Sequence, residues 1–110
     1  MIIYISESTR PDKKWMAKPE GHRTVHFGQR GASDYTMHHD DAHRQAYIAR
    51  HGSREDWGRT GVMTPGWLSR HLLWEKRRLP AAIAAASQMY DDVRFRPACF
   101  CSGRVIFSFN

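Results

Sequence analysis

Cysteine is scarce in this chain: only Cys99 and Cys101 occur, one residue apart. An ordinary disulfide needs Cα atoms about 4.4–6.8 Å apart with converging side chains, which an extended Cys-x-Cys does not provide. A disulfide-stapled scaffold is therefore excluded, and reduced thiols in a reducing compartment are expected. The Cys-x₂₋₄-Cys spacing of a zinc site is missing too. No apolar run approaches the ~20 residues of a membrane span. The opening Met1-Ile2-Ile3-Tyr4-Ile5 lacks the basic region and long apolar stretch of a signal peptide, so it reads as a strand and the expected location is intracellular. Nucleophile-elbow and phosphate-loop motifs are absent, as are internal repeats and low-complexity tracts.

Acidic residues thin out along the chain. Residues 1–56 hold nine Lys/Arg against eight Asp/Glu, a net +1, while residues 57–110 hold eight against three, a net +5. This asymmetry points to an anionic partner for the later half, with nucleic acid the commonest kind and an acidic protein surface another.

What is present suffices for one domain over residues 1–110. Hydrophobic residues make up 41%, and four Trp, four Tyr and five Phe supply the bulk of a modest core. Met1–Ser6 reads as a strand. Lys14–Ala17 and Arg23–Phe27 form a hairpin around Pro19-Glu20-Gly21, and Gly28–Met37 is a shaped loop. A first helix begins with Asp40 as its cap and ends at Gly52, and a second starts at Thr64-Pro65, with threonine capping and proline in the first turn. Pro80 ends or kinks that helix, a third covers Ala81–Tyr90, and Ala98–Asn110 closes as a hairpin. The order predicts an α+β fold, a small antiparallel sheet with about three helices packed on one face.

At 100° per residue, Asp41–Arg54 places His43, Arg44, Tyr47, Arg50, His51 and Arg54 in one sector and Ala42, Ala46 and Ala49 opposite. Trp67–Leu79 places Trp67, Arg70, His71, Trp74, Arg77 and Arg78 on one side and Leu68, Leu72 and Leu79 on another. Cations interleaved with aromatics suit phosphate contact and base stacking. The same pattern also describes buried tryptophans edged by long cations that snorkel to water. Lys76-Arg77-Arg78 is expected to face solvent, and three cations on phosphates would give a log–log salt slope of roughly −2 to −3.

The stretch Ser33–His43 gathers possible metal ligands or acid–base groups, with His39 and His43 spaced i, i+4. No complete metal shell follows from that spacing, and Asp40 and Asp41 equally serve as helix-capping acids. Asp34 and Thr36 are the residues of an Asx-type turn.

His26-Phe27-Gly28, Gly31, Ser33-Asp34-Tyr35-Thr36 with His38 and Asp40, then Arg44, Tyr47 and Arg50-His51, form a recognisable series. It continues through Glu55-Asp56-Trp57, Gly61, Thr64-Pro65-Gly66-Trp67, Ser69-Arg70 and Leu72-Leu73-Trp74. From Trp15 to Leu79 this pattern resembles a group of small proteins of nucleocytoplasmic large DNA viruses, with similar sequences in algal and protist hosts. Pro65, His39 and Glu75 depart from it, where a small residue, lysine and asparagine are the pattern. The resemblance implies a viral or protist source and brings no assigned activity, so no catalytic residue is carried over.

The expectation is a basic, non-enzymatic accessory protein that binds nucleic acid through phosphates in the host cytoplasm or nucleus, in association with the virion. Arg50, Arg54, Arg70, Lys76, Arg77 and Arg78 would supply charge, and Trp74 or Tyr47 stacking; no cofactor or metal is assigned. Two other readings stay open: an adaptor whose aromatic-rich face docks on a viral protein, and a metal-assisted nuclease using Asp34, His38, His39 and His43.

Overall fold

The computed structural model describes residues 1–98. The hairpin expected over Ala98–Asn110, with Cys99 and Cys101, lies outside the described residues apart from Ala98. Within them the fold is α+β. Strands β1 (Ile2–Glu7), β2 (Lys13–Pro19), β3 (Val25–Gln29) and β4 (Arg94–Pro97) form one sheet in the order β3-β2-β1-β4. The expected hairpin is β2–β3, antiparallel with Trp15 opposite Phe27, and β1 pairs antiparallel to β2 with Ile5 opposite Ala17.

The sheet is mixed rather than wholly antiparallel. After β3 the chain crosses one face of the sheet in its helical segments and re-enters at the opposite edge, where β4 runs parallel to β1 with Ile3 opposite Phe95. A parallel pair needs such a long crossover, and the 64 residues between Arg30 and Val93 supply it. The Met1 carbonyl accepts the Arg94 N–H at 2.8 Å, which pins the register at the start of both strands.

Alternation decides which face is covered. Ile3, Ile5, Ala17, Phe27 and Phe95 point inward and are all but inaccessible, meeting Trp67, Leu68, Leu72, Ile83 and Val93 in one core. The helical elements are α1 (Tyr35–His38), α2 (Asp41–His51), a 3₁₀ turn (Arg59–Gly61), α3 (Pro65–Leu68), a π-helical turn (Ser69–Leu73) and α4 (Leu79–Ala86). α4 buries Leu79, Ala82, Ile83 and Ala86, the i, i+3, i+4, i+7 stripe of a helix lying on a core. Trp67 is fully buried, its ring stacked on Phe95 at 5.4 Å. Among the described residues no helix is long and apolar enough to cross a membrane.

The helix-start signals act as expected. Asp40 accepts the Ala42 and His43 N–H groups, and Thr64 accepts that of Trp67 with Pro65 in the first turn. The helix expected over Trp67–Leu79 is not continuous. It passes from α3 into the π turn and ends at Trp74, whose φ of −123° is no longer helical. Pro80 has no N–H for the carbonyl of residue 76, so no α-helix could run on through 76–80 unstrained, but the helical run has already stopped at Trp74. Pro80 instead opens α4, which ends at Ala86, short of the expected Tyr90.

Candidate nucleic-acid interface

The site is built around a column of rings. Tyr47 of α2 is 8% exposed and lies parallel to Trp74, 4.3 Å between centroids with 4° between planes. His51, one turn along α2, stacks on Tyr47 at 4.4 Å, Trp57 lies near-parallel at 6.4 Å, and His38 tilts against Trp74 at 5.4 Å. Burial of the Tyr47 phenol pushes its pKa up to about 12. The column decides which side of α2 meets the rest of the fold. Tyr47 packs inward with Arg44 and His51 half-buried beside it, His43, Arg50 and Arg54 stay exposed at the margins of that aromatic and cationic sector, and Ala42, Ala46 and Ala49 face solvent. Two stacked rings remove far more apolar surface from water than three methyl groups do, so the ring face takes the interior.

Polar chemistry then locks the column to the turn after it. Arg44 donates from Nε to the Trp74 carbonyl at 2.8 Å and from its guanidinium to Glu75 at 3.1 Å, while Arg70 donates to the same carboxylate at 2.7 Å. Burial pushes the Glu75 carboxyl up, but the bonds and charges of Arg70 and Arg44 outweigh it and hold the group below its ordinary value. Arg70 also lies over the Trp57 ring, 5.3 Å from its centroid. On the far side, Arg77 donates from Nε to the Tyr35 hydroxyl at 3.1 Å and pairs with Asp41 at 3.2 Å. The Tyr35 hydroxyl in turn donates to Asp41, and these bonds hold the Asp41 carboxyl below the usual range.

Two adjoining concavities result. The first, about 380 Å³, lies between the end of the β2–β3 hairpin, the 28–34 loop, α2 and the 65–74 segment; Lys13, Arg50, His51, Ser69 and Trp74 are on its walls. Gly28 shapes it: with φ at 77°, a Cβ there would stand 2.9 Å from the Leu73 side chain. The second, about 510 Å³ and shallower, is lined by Tyr35, Arg44, Glu75, Lys76, Arg77 and Arg78. Consecutive residues Trp74 and Glu75 line one each, so the two meet at this point of the chain.

The residues singled out in the sequence divide accordingly. Arg50 and Trp74 share the first concavity; Lys76, Arg77 and Arg78 share the second. Arg54 is exposed just beyond α2, its guanidinium on the Arg50 carbonyl at 3.3 Å. Arg70 and Arg77 are held by Glu75 and Asp41. Trp74 is half-buried, with Tyr47 parallel to it and His38 tilted against it, so it braces the wall and is not a free stacking ring. Arg50, Arg54, Lys76 and Arg78 are exposed and form no ion pair among the described residues. Lys13 was not anticipated, because only the fold brings the hairpin beside α2.

The Ser33–His43 cluster does not converge. Asp34, 3% exposed, is taken up by Lys14 at 2.7 Å and by the Thr36 N–H and hydroxyl, an Asx-type turn that orders the loop. His39 has a left-handed backbone between α1 and α2, so the i, i+4 relation to His43 does not place the two on one helical face. His38 accepts the Asp40 N–H on Nδ1 at 2.9 Å. Among the described residues no three His, Cys, Asp or Glu side chains are grouped to hold a metal ion.

Residues 3–51, from β1 to the end of α2, match the model of a family of unknown function (DUF5754). No curated protein and no solved structure matches the chain.

Proposed function

We propose that this protein is a non-catalytic accessory factor that binds nucleic acid through its phosphates, along a basic tract crossing the two concavities. The observation that carries the reading is the division of the cations. Arg44, Arg70 and Arg77 are consumed by carboxylates and build the surface, whereas Arg50, Arg54, Lys76 and Arg78 stand exposed and uncommitted among the described residues. Lys13 extends the tract on the hairpin side. Exposed cations on a scaffold of stacked rings give affinity and orientation with little sequence choice, since phosphates carry no base information. The resemblance to proteins of large DNA viruses supports a setting in the infected cell or the virion.

The test is charge reversal at two uncommitted positions on opposite sides of the ring column. The double variant Arg50→Glu, Arg78→Glu is expected to bind duplex DNA at least about ten-fold more weakly at moderate salt. Its circular dichroism should match the native protein, because neither side chain bonds inside the described fold. Undiminished affinity contradicts the reading.

A further inference from the structure

The face of the sheet turned away from the helices has a composition of its own. Alternation directs Ile2, Tyr4 and Ser6 of β1, Met16 and Lys18 of β2, His26 of β3 and Arg94 and Arg96 of β4 to that side. None of these is a carboxylate. The register sets Lys18 directly opposite Tyr4 on one side and Arg96 directly opposite it on the other, a cation–aromatic–cation row across three adjacent strands. Lys18 and Arg96 are exposed and Tyr4 is partly so. Among the described residues the Tyr4 ring stacks on no other ring and its hydroxyl makes no hydrogen bond; Lys18 and Arg96 form no ion pair there.

An aromatic without a ring or hydrogen-bond partner among the described residues, with a cation on the strand to either side, matches the parts of one nucleotide step. The ring offers a face to a base, and the flanking cations reach the phosphates before and after it. Duplex DNA does not fit this arrangement, since its bases are already stacked and present only their edges in the grooves. From this geometry we infer that the sheet face turned away from the helices is a second binding surface, specific for single-stranded nucleic acid, with Tyr4 as the stacking residue and Lys18 and Arg96 as phosphate contacts. DNA and RNA share the chemistry that is read. The surface involves none of the residues of the basic tract, so the two proposals stand or fall separately.

Fluorescence anisotropy of the full chain with labelled oligo-dT and oligo-U, beside a labelled duplex, tests it. Tyr4→Ala is expected to weaken single-strand binding about ten-fold, in the range of one lost base stack, while Tyr4→Phe keeps native affinity. Lys18→Glu with Arg96→Glu alters only exposed side chains, so the fold is retained, and it should abolish single-strand binding with duplex binding reduced far less. Arg50→Glu with Arg78→Glu should do the reverse. Native single-strand affinity in both Tyr4→Ala and the Lys18/Arg96 variant overturns the inference. So does equal loss on single strand and duplex, or no single-strand binding by the unaltered protein.

Discussion

Gly61 and His71 show how much individual positions in the 55–75 segment are asked to do. Gly61 closes the 3₁₀ turn, where an added Cβ would fall 1.9 Å from the Asp56 carbonyl oxygen. That neighbour is backbone, fixed in a turn whose Asp56 side chain also accepts the Gly58 N–H, so it cannot step aside. Gly61→Ala is expected to cost about 1–3 kcal/mol, read as a lower urea midpoint with an unchanged slope. His71 packs its ring on Trp67 at 4.4 Å and bonds through Nε2 to the Trp57 carbonyl at 3.1 Å. Burial holds its pKa below the ordinary value of 6.5. In the unfolded chain His71 therefore takes up a proton first, and the unfolded state binds more protons once the pH drops toward 6.5 and below. Its contribution is complete above about pH 6.5 and is lost as pH falls below that, through the lowered folded-state pKa. Urea midpoints at pH 7.5 and 5.5 should diverge more in the native protein than in His71→Gln; equal divergence would contradict this assignment.

Elements with local signals were legible in the sequence, and those whose direction depends on distant partners were not. Asp40, Thr64-Pro65 and the Pro19-Glu20-Gly21 turn act where they stand, because a cap or a turn needs only its own few residues. Thr64 accepts the Trp67 N–H at 3.2 Å and donates to the Gly61 carbonyl at 2.7 Å. Thr64→Ala should therefore lower stability by about 1 kcal/mol in chemical denaturation, and a loss of only a tenth or two would argue against that cap. The buried face of α2 is not decided by its own sequence for the opposite reason. Its projection separates rings from alanines correctly, but which side is interior depends on Trp74 and Trp57, 27 and 10 residues away from Tyr47. The 67–79 segment keeps its hydrophobic period on paper, but its helical run stops at Trp74, so Arg77 and Arg78 lie past its end. The candidate site suffered most: Glu75 and Asp41 neutralise two of its six cations from elsewhere in the fold, and no sequence spacing announces such pairings.

For the whole molecule, one core joins strands from both ends of the described chain to helices from its middle. The edge position and parallel direction of β4 were not foreseen, although the alternation Arg94-Phe95-Arg96 carries the signal of a strand with one buried and one open face. Among the described residues this topology gathers unpaired cations in two separate places, the tract across the ring column and the sheet face turned away from the helices. Four of its eleven carboxylates, Asp12, Asp41, Glu75 and Asp92, pair with guanidinium groups among the described residues, while Arg50, Arg54, Lys76 and Arg78 stay free for an external polyanion. Counterion release gives that idea a direct readout. Plotting the logarithm of the duplex-binding constant against the logarithm of salt concentration should give a slope of about −3 to −4 if Arg50, Arg54, Lys76 and Arg78 each neutralise a phosphate. The slope should flatten by about two when Arg50 and Arg78 are reversed together. A slope near zero, or one that the double variant leaves unchanged, would contradict the account.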